Sequence, residues 1–114
     1  HGTRVRAVIR LVRLVHGWST PDEVGDYDNL AMWLEVDGTR HQNGSTKTMV
    51  YKVPYLISYC SQFMSLQPGD IISTGTPPGV GMGLKPQIFL SGGETMRLGI
   101  DKLGVQTQVV RPAK

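Results

Sequence analysis

The sequence predicts an α+β domain that is rich in short β-strands and contains one clear helix. Its 114 residues include 14 glycines and 7 prolines, a content that favours many turns over a helical bundle. Short β-branched or aromatic segments recur between these turn residues, as is typical of strands. Only one segment, at about residues 54–65, repeats its apolar residues at helical spacing. Together these observations indicate one small domain of the α+β class.

The first predicted strand is LAMWLEV, residues 30–36, and a loop is predicted before it over residues 17–29. Asp37-Gly38 follows and predicts a type I′ hairpin turn. The return strand is predicted at about residues 39–42, because Asn43-Gly44 indicates another turn. The remaining predicted strands are short and lie at about residues 71–73, 87–90, 95–100 and 105–110.

The predicted helix begins at Pro54, since proline suits the first turn of a helix. Its apolar residues fall on one face, and serines and a glutamine point the other way. Pro68-Gly69 ends the element. Cys60 lies on the apolar face and is expected to be a buried, inert thiol rather than a nucleophile. The apolar face consists of Leu56, Ile57, Cys60, Phe63 and Met64.

The positive charge of the chain is concentrated at its start. Residues 1–16 contain four arginines and no acidic residue, whereas the remaining residues contain eight basic and nine acidic ones. The body of the domain therefore gives no basis for a broad nucleic-acid interface. No apolar run approaches the ~20 residues of a membrane span. The single cysteine favours a reducing compartment, so we expect a cytoplasmic protein.

Residues 4–15, RVRAVIRLVRLV, fit a strand or a helix equally well. An edge strand or docking helix with solvated arginines is favoured over a helix that binds a membrane surface or nucleic acid. His41, His16 and the acidic loop are interpreted as surface features rather than metal ligands. The acidic loop contains Asp22, Glu23, Asp26 and Asp28.

The most informative segment is TGTPPGVGMG, residues 74–83, called here the TGTP loop. Its glycines allow a close approach of backbone to a ligand, and Thr74 and Thr76 supply hydroxyl groups. Consecutive amides and hydroxyls suit a carboxylate or phosphate, although an ordinary connection between strands is the alternative. A Walker A loop is excluded because Lys85 is followed by proline. The glycine spacing also excludes the dinucleotide-binding pattern.

Three segments occur in a fixed order: TPDEVGDYDNLAMWLEVDG, residues 20–38; VPYLISYCSQFMSLQPGDIISTGTPPGVG, residues 53–81; and IDKLGVQTQVV, residues 100–110. This order resembles the C-terminal part of the catalytic domain of the fumarylacetoacetate hydrolase family, in particular members related to acylpyruvases and 2-hydroxyhepta-2,4-diene-1,7-dioate isomerases. The resemblance covers about residues 17–114. Residues 1–16 form a separate basic and apolar segment that does not match.

The resemblance implies a mixed β-roll, truncated in this chain, and a homo-oligomer, usually a dimer. It also implies Mg²⁺ or Mn²⁺ in the complete family fold and 2-oxo acid substrates such as acylpyruvates, oxaloacetate or ring-cleavage diacids. Members hydrolyse, decarboxylate or isomerise them. The threonine of the family's TGTP motif contacts the substrate carboxylate, which makes Thr76, with Gly75 and Thr74, the substrate-binding candidates.

The sequence departs from the family pattern at the metal site. The family's ligands are an E-x-E pair and a later aspartate upstream of TPDE, but this chain has only Glu23, Glu35 and Glu94. The family's catalytic lysine and lid His-Glu pair also have no match. We therefore assign no catalytic residue and no metal ligand in this chain.

Two functions stay open at this point. One is a metal-dependent hydrolase, isomerase or decarboxylase of 2-oxo acids that takes its ligands from elsewhere. The other is a non-catalytic truncated domain, a binding or assembly module for a small carboxylate or a protein. The missing upstream strands should leave apolar surface, which either residues 5–15 or self-association would cover.

Overall fold

The computed structural model describes residues 19–112 and confirms the α+β class. Short 3-10 turns occur at Thr46–Thr48 and Gly81–Gly83. The helices and strands of this part of the chain are α1 (Pro21–Val24), β1 (Ala31–Val36), β2 (Thr39–Ser45), α2 (Val53–Ser61), β3 (Thr95–Ile100) and β4 (Gly104–Val109).

The four strands form one antiparallel sheet in the order β2-β1-β3-β4. The predicted hairpin between β1 and β2 is confirmed: Asp37 has φ 49° and Gly38 has φ 83°, the positive values that a type I′ turn requires. Asp37 also ties the hairpin to β3. Its Oδ1 accepts a hydrogen bond from the Thr95 N–H at 2.8 Å, and its own N–H donates to the Thr95 carbonyl at 2.9 Å.

The turn predicted at Asn43-Gly44 is wrong, because β2 continues through both residues to Ser45. Asn43 pairs with Trp33 and Gly44 with Met32. The pairing of β1 with β2 is therefore longer than the turn predicted from Asn43-Gly44 would allow. The irregularity of β2 lies earlier. Gln42 pairs with Leu34 and Arg40 with Glu35, which leaves His41 as the extra residue of a bulge.

Two further sequence predictions are wrong in the opposite sense, because strands were predicted where the structure has none. Residues 71–73 and 87–90 are not strands, since neither segment finds a hydrogen-bonded partner strand within residues 19–112. Ile71 and Ile88 accordingly remain exposed. Conversely, the loop predicted over residues 17–29 contains α1, which begins at Pro21 with Asp22 and Glu23 in its first turn, a favourable arrangement at a helix N-terminus. β3 matches its prediction, and β4 begins one residue earlier than predicted.

The helix α2 is confirmed but ends at Ser61, four residues before the predicted end. Phe63 and Met64 lie in the turn that follows, where both N–H groups bond to the Cys60 carbonyl at 3.1 and 3.2 Å. The predicted apolar face is only partly covered. Leu56 and Cys60 are half-buried, so Cys60 is not the fully buried thiol that was expected.

The hydrophobic core of the described residues is small. Val24 and Leu30 are its only buried hydrophobic side chains, whereas sixteen large hydrophobic residues are exposed. Apolar surface is therefore available for contacts beyond this part of the chain.

No helix within residues 19–112 is long and apolar enough to span a bilayer. The predictions for residues 1–16, including His16, lie outside the described residues, and the boundary at residue 17 stays a prediction.

One face of the sheet carries a cluster around Trp33. The guanidinium groups of Arg40 and Arg97 lie 4.8 and 5.6 Å from the centre of the indole ring. Glu35 Oε1 lies 2.8 Å from Arg40 Nη2, and Oε2 lies 3.8 Å from Arg97 Nη1. The indole covers Gly99 of β3 so closely that an added Cβ would lie 2.9 Å from its ring carbons. Cation–π contacts and backbone packing thus hold the indole against the sheet.

The Gly99→Ala substitution should destabilise the chain by about 1–3 kcal/mol, because the new methyl group overpacks the indole. The midpoint of urea unfolding measures this change. Gly83→Ala is the matched control, since a Cβ there would meet its nearest atom at 3.6 Å. Equal unfolding midpoints for the two variants would contradict the packing of Trp33 on β3.

The turn before β3 is held by Glu94, whose carboxylate accepts hydrogen bonds from the N–H groups of Ser91 at 2.7 Å and Gly92 at 2.5 Å. These bonds lower the pKa of Glu94 below its usual value, and the bond from the Ser91 N–H has the largest effect. A lowered pKa in the folded state means that the ionised carboxylate stabilises the fold. This stabilisation is present above the unfolded-state pKa and is lost as pH falls through the folded-state pKa.

The Glu94→Gln variant should therefore lose less stability than the wild type on acidification from neutral pH through the acidic range. Chemical unfolding at a series of pH values measures the difference. Glu23→Gln is the control, because within residues 19–112 its carboxylate accepts a hydrogen bond from the Thr20 hydroxyl, at 3.0 Å, and none from a backbone N–H. Parallel pH profiles for wild type and Glu94→Gln would show that the carboxylate does not cap this turn.

Candidate functional site

The TGTP loop has little regular structure of its own and is held against β2 by the side chain of Gln42. The Gln42 amide nitrogen lies 2.7 Å from Thr76 Oγ1 and 2.7 Å from the Pro77 carbonyl oxygen. Because a carbonyl oxygen can only accept, the group that faces it is the amide donor. One side chain therefore fixes both the threonine hydroxyl and the backbone that follows it.

Two close backbone contacts complete this docking. Gly79 has φ 114°, and a Cβ at this position would overlap the carbonyl oxygen of His41 in the β2 bulge. Gly44 lies against Pro77, where a Cβ would be 2.8 Å from the proline Cβ. Only glycine permits these approaches, so the loop and the strand fit together through positions without side chains.

The docked loop forms one wall of a cleft of about 340 Å³. The opposite side comes from β1, the end of β2, the segment that follows it and α2. The three predicted substrate-binding residues thus lie together along one wall, while their role stays a prediction. The lining residues are Met32, Ser45, Thr46, Thr48, Met49, Val50, Tyr51, Leu56, Thr74, Gly75, Thr76, Pro77 and Pro78.

The polar groups of this wall include several hydrogen-bond donors. Thr76 Oγ1 accepts from Gln42, and its own proton is directed at the Pro77 carbonyl oxygen over a long 3.3 Å. The backbone N–H groups of Gly75 and Thr76 donate to no backbone carbonyl among residues 19–112. No acidic side chain lines the described cleft. The wall is therefore suited to a small anion that accepts several hydrogen bonds.

A cation lies next to the opposite wall. Lys52 Nζ donates to the carbonyl of Lys47 at 2.8 Å and lies 3.5 Å from that of Thr46, a cleft residue. Thr46 itself is structural: its hydroxyl accepts from the Leu30 N–H at 2.9 Å and donates to the Tyr27 carbonyl at 2.8 Å. The ammonium group adds positive charge beside the cleft, which favours an anionic ligand.

The sequence analysis missed Gln42 and the hydroxyl residues Ser45, Thr46 and Thr48. A strand places alternate residues on one face, so a longer β2 would have put Gln42 and Gly44 side by side. Both in fact contact Pro77. The turn predicted at Asn43-Gly44 hid this relation. His41, expected at the surface, is half-buried and contributes its carbonyl to the loop contact.

The residues that the structure describes do not fit a Mg²⁺ or Mn²⁺ site. Among the described residues, no group of three or more His, Cys, Asp or Glu side chains could hold a metal ion. The glutamates are engaged elsewhere: Glu35 with two arginines and Glu94 with backbone N–H groups. A hard cation needs several clustered oxygen ligands, and the cleft presents no carboxylate.

Comparison with known proteins identifies relatives of this chain. The family profile described as fumarylacetoacetate (FAA) hydrolase C-terminal matches residues 14–111. A Burkholderia ambifaria protein named "Putative hydrolase" is 60% identical over 96 residues, which are 83% of this chain and 34% of that protein. The chain thus spans about one third of the length of the curated relatives it matches.

Two solved structures are similar in fold. Fumarylacetoacetate hydrolase from Exiguobacterium antarcticum has a TM-score of 0.78 and 35% identity over 83% of this chain and 34% of its own. Maleylpyruvate hydrolase from Sphingobium sp. SYK-6, in complex with manganese(II) and pyruvate, has a TM-score of 0.75 and 36% identity over 84% of this chain and 34% of its own. The chain therefore belongs to the fumarylacetoacetate hydrolase family.

Proposed function

We propose that this chain forms the carboxylate-binding wall of a site for small 2-oxo acids. The observation that carries the proposal is the Thr76 hydroxyl, which Gln42 orients at the edge of the cleft. The oxygen accepts from Gln42, so its proton is the part left for a ligand. A carboxylate oxygen would attract this proton more strongly than the Pro77 carbonyl at 3.3 Å does.

The surrounding groups support the same ligand class. The N–H groups of Gly75 and Thr76 could donate to the second carboxylate oxygen, with Thr74 beside them. The apolar side chains of Met32 and Leu56 would face the remainder of a small acid. The family relative from Sphingobium holds pyruvate together with manganese, which makes pyruvate and its mimic oxalate the first ligands to test.

Turnover is a separate matter from binding. The family activity we propose for the complete site is metal-dependent hydrolysis, isomerisation or decarboxylation of a 2-oxo acid. This chain contains three glutamates and no E-x-E pair, and the described residues hold no cluster of metal ligands. We infer that the metal ligands would come from residues outside this 114-residue sequence, and that these 114 residues alone bind the carboxylate without turnover. A homo-oligomer and a cytoplasmic location stay predictions.

Thr76→Val should weaken oxalate binding by about tenfold or more, since one hydrogen bond to a charged ligand is lost while side-chain volume is retained. Calorimetric titration measures the dissociation constant, and thermal unfolding checks that the fold is intact. Thr107→Val on β4, away from the cleft, is the matched control. Equal affinity in Thr76→Val and wild type would refute the assignment of Thr76.

Gln42→Leu should also weaken oxalate binding, because the Thr76 hydroxyl would lose its partner and turn freely. A positioning role predicts that Gln42→Leu and Thr76→Val are not additive in the double variant. Calorimetric titration of the four proteins gives the coupling energy. Independent, additive losses would show that Gln42 does not act through Thr76.

Oxalate should raise the melting temperature of the chain in EDTA, since a ligand that binds only the folded state stabilises it by mass action. Mn²⁺ without oxalate should leave the melting temperature unchanged, because the cleft offers no carboxylate ligands. A clear rise with Mn²⁺ alone would mean that this chain carries a metal site after all.

A further inference from the structure

The side of the cleft opposite the TGTP loop is largely apolar and includes an aromatic ring. Met32 and Leu56 are half-buried there, and Tyr51 adds its ring to the lining. The cleft measures about 340 Å³, within the range of about 300–1,000 Å³ that small-ligand sites occupy. It is therefore larger than the carboxylate and keto groups of a ligand require, and the side that contains Tyr51 is left for the ligand's tail.

The ring of Tyr51 is held in place by a neighbour on α2. The rings of Tyr51 and Tyr55 are stacked, with centres 5.0 Å apart and planes inclined by 17°. Tyr51 lines the cleft, whereas Tyr55 is not among its described lining residues. The stack therefore presents one ring to the cleft and supports that ring from outside. Tyr51 is still 56% exposed, so a large part of it stays accessible to a ligand.

This side of the cleft offers little to a second carboxylate. No Arg, Lys or His is among the described lining residues. The Thr46 hydroxyl donates to the Tyr27 carbonyl at 2.8 Å. The Thr48 hydroxyl donates to the Ser45 carbonyl at 3.0 Å, and the Lys52 ammonium beside the cleft faces two backbone carbonyls. A second carboxylate would lose hydration here without gaining a set of donors, which disfavours a diacid.

We propose that Tyr51 determines which 2-oxo acid the site accepts, namely one that carries an uncharged, planar group beyond its keto carbon. Its role rests on the proposed function, because the TGTP loop must first bind the carboxylate. The planar group would stack on the Tyr51 ring or meet it edge-on, and either arrangement is more favourable than the buried apolar area alone accounts for. Tyr55 is a positioning residue, since it contacts the ring of Tyr51 from outside the described lining of the cleft.

Calorimetric titration of the full 114-residue chain with four ligands, in EDTA, tests the proposal. Oxalate has no tail and reports the carboxylate-binding wall alone. Pyruvate adds a methyl group, phenylpyruvate adds a ring, and 2-oxoglutarate adds a second carboxylate. The wild type should bind phenylpyruvate about tenfold more tightly than pyruvate, because a ring contact and its buried apolar area are gained. 2-Oxoglutarate should bind no more tightly than pyruvate does.

Substitutions of Tyr51 separate the ring from its hydroxyl group. Tyr51→Phe retains the ring and should keep the preference for phenylpyruvate. Tyr51→Ala should lower the affinity for phenylpyruvate about tenfold and that for oxalate by about twofold at most, since oxalate has no tail to reach the ring. Phe89→Ala is the matched control, because Phe89 is a comparably exposed ring, at 62%, outside the described lining of the cleft. Circular dichroism and thermal unfolding verify that each variant is folded.

The positioning role of Tyr55 is tested with the same ligands. Tyr55→Ala should reduce the preference for phenylpyruvate, because Tyr51 loses its stacked neighbour, and Tyr55→Phe should restore it. The effects of Tyr51→Ala and Tyr55→Ala should not add in the double variant, since both act through one ring. Additive losses would show that Tyr55 does not act through Tyr51.

Three outcomes would overturn the role of Tyr51 while oxalate binding, and with it the proposed function, still stands. Equal affinities of the wild type for phenylpyruvate and pyruvate would exclude a ring contact. Tighter binding of 2-oxoglutarate than of phenylpyruvate would assign this side of the cleft to a second carboxylate, with Lys52 as its partner. Equal losses in Tyr51→Ala and Phe89→Ala would place the ring contact elsewhere. A wild type that binds neither oxalate nor phenylpyruvate would refute the proposed function together with the role of Tyr51.

Discussion

The antiparallel pairing of β1 with β3 joins two hairpins that are about sixty residues apart in the chain. The positions of β2, β4 and the TGTP loop all depend on this pairing. At each end of this pairing, one aspartate forms two hydrogen bonds to the neighbouring strand, one through its backbone N–H and one through its side chain. At one end Asp37 bonds to Thr95, and at the other Asp101 accepts from the Ala31 N–H at 3.2 Å and donates its own N–H to the Ala31 carbonyl at 2.9 Å. Because Val24 and Leu30 are the only buried hydrophobic side chains among residues 19–112, these backbone hydrogen bonds between strands hold the described architecture together more than the hydrophobic core does.

The candidate site also depends on this sheet, because the TGTP loop is held in place by contacts with β2. The TGTP loop pairs with no strand of the sheet. Its conformation depends on contacts with β2, which is itself paired in register with β1. The bulge at His41 turns a carbonyl toward Gly79, and Gln42 beside it reaches Thr76. A loop supported in this way can present a hydroxyl and free amides at fixed positions, which reduces the entropy lost when a ligand binds.

The described residues place no carboxylate at the cleft and leave many apolar side chains exposed. No acidic side chain lines the described cleft, and sixteen large hydrophobic residues of this part of the chain are exposed, whereas only Val24 and Leu30 form its buried hydrophobic core. Membership in the fumarylacetoacetate hydrolase family explains the shape of the cleft wall. The residues that the structure describes hold no cluster of metal ligands, and they place the Thr76 hydroxyl and the amides of the TGTP loop at the cleft instead.

The sequence by itself determined the features that depend on neighbouring residues. Asp37-Gly38 specified its hairpin through the positive φ of both residues, Pro54 and the apolar spacing specified α2, and the TGTP motif specified the family. Only the tertiary structure decided what depends on distant partners. Residues 71–73 and 87–90 have strand-like composition but no partner strand among residues 19–112. Asn43-Gly44 lies in a strand because both residues pair with β1. The contact of Gln42 with Thr76 joins residues 34 positions apart in the chain. A local pattern cannot specify it, because hydrogen bonds between strands and loops are fixed by register and not by composition.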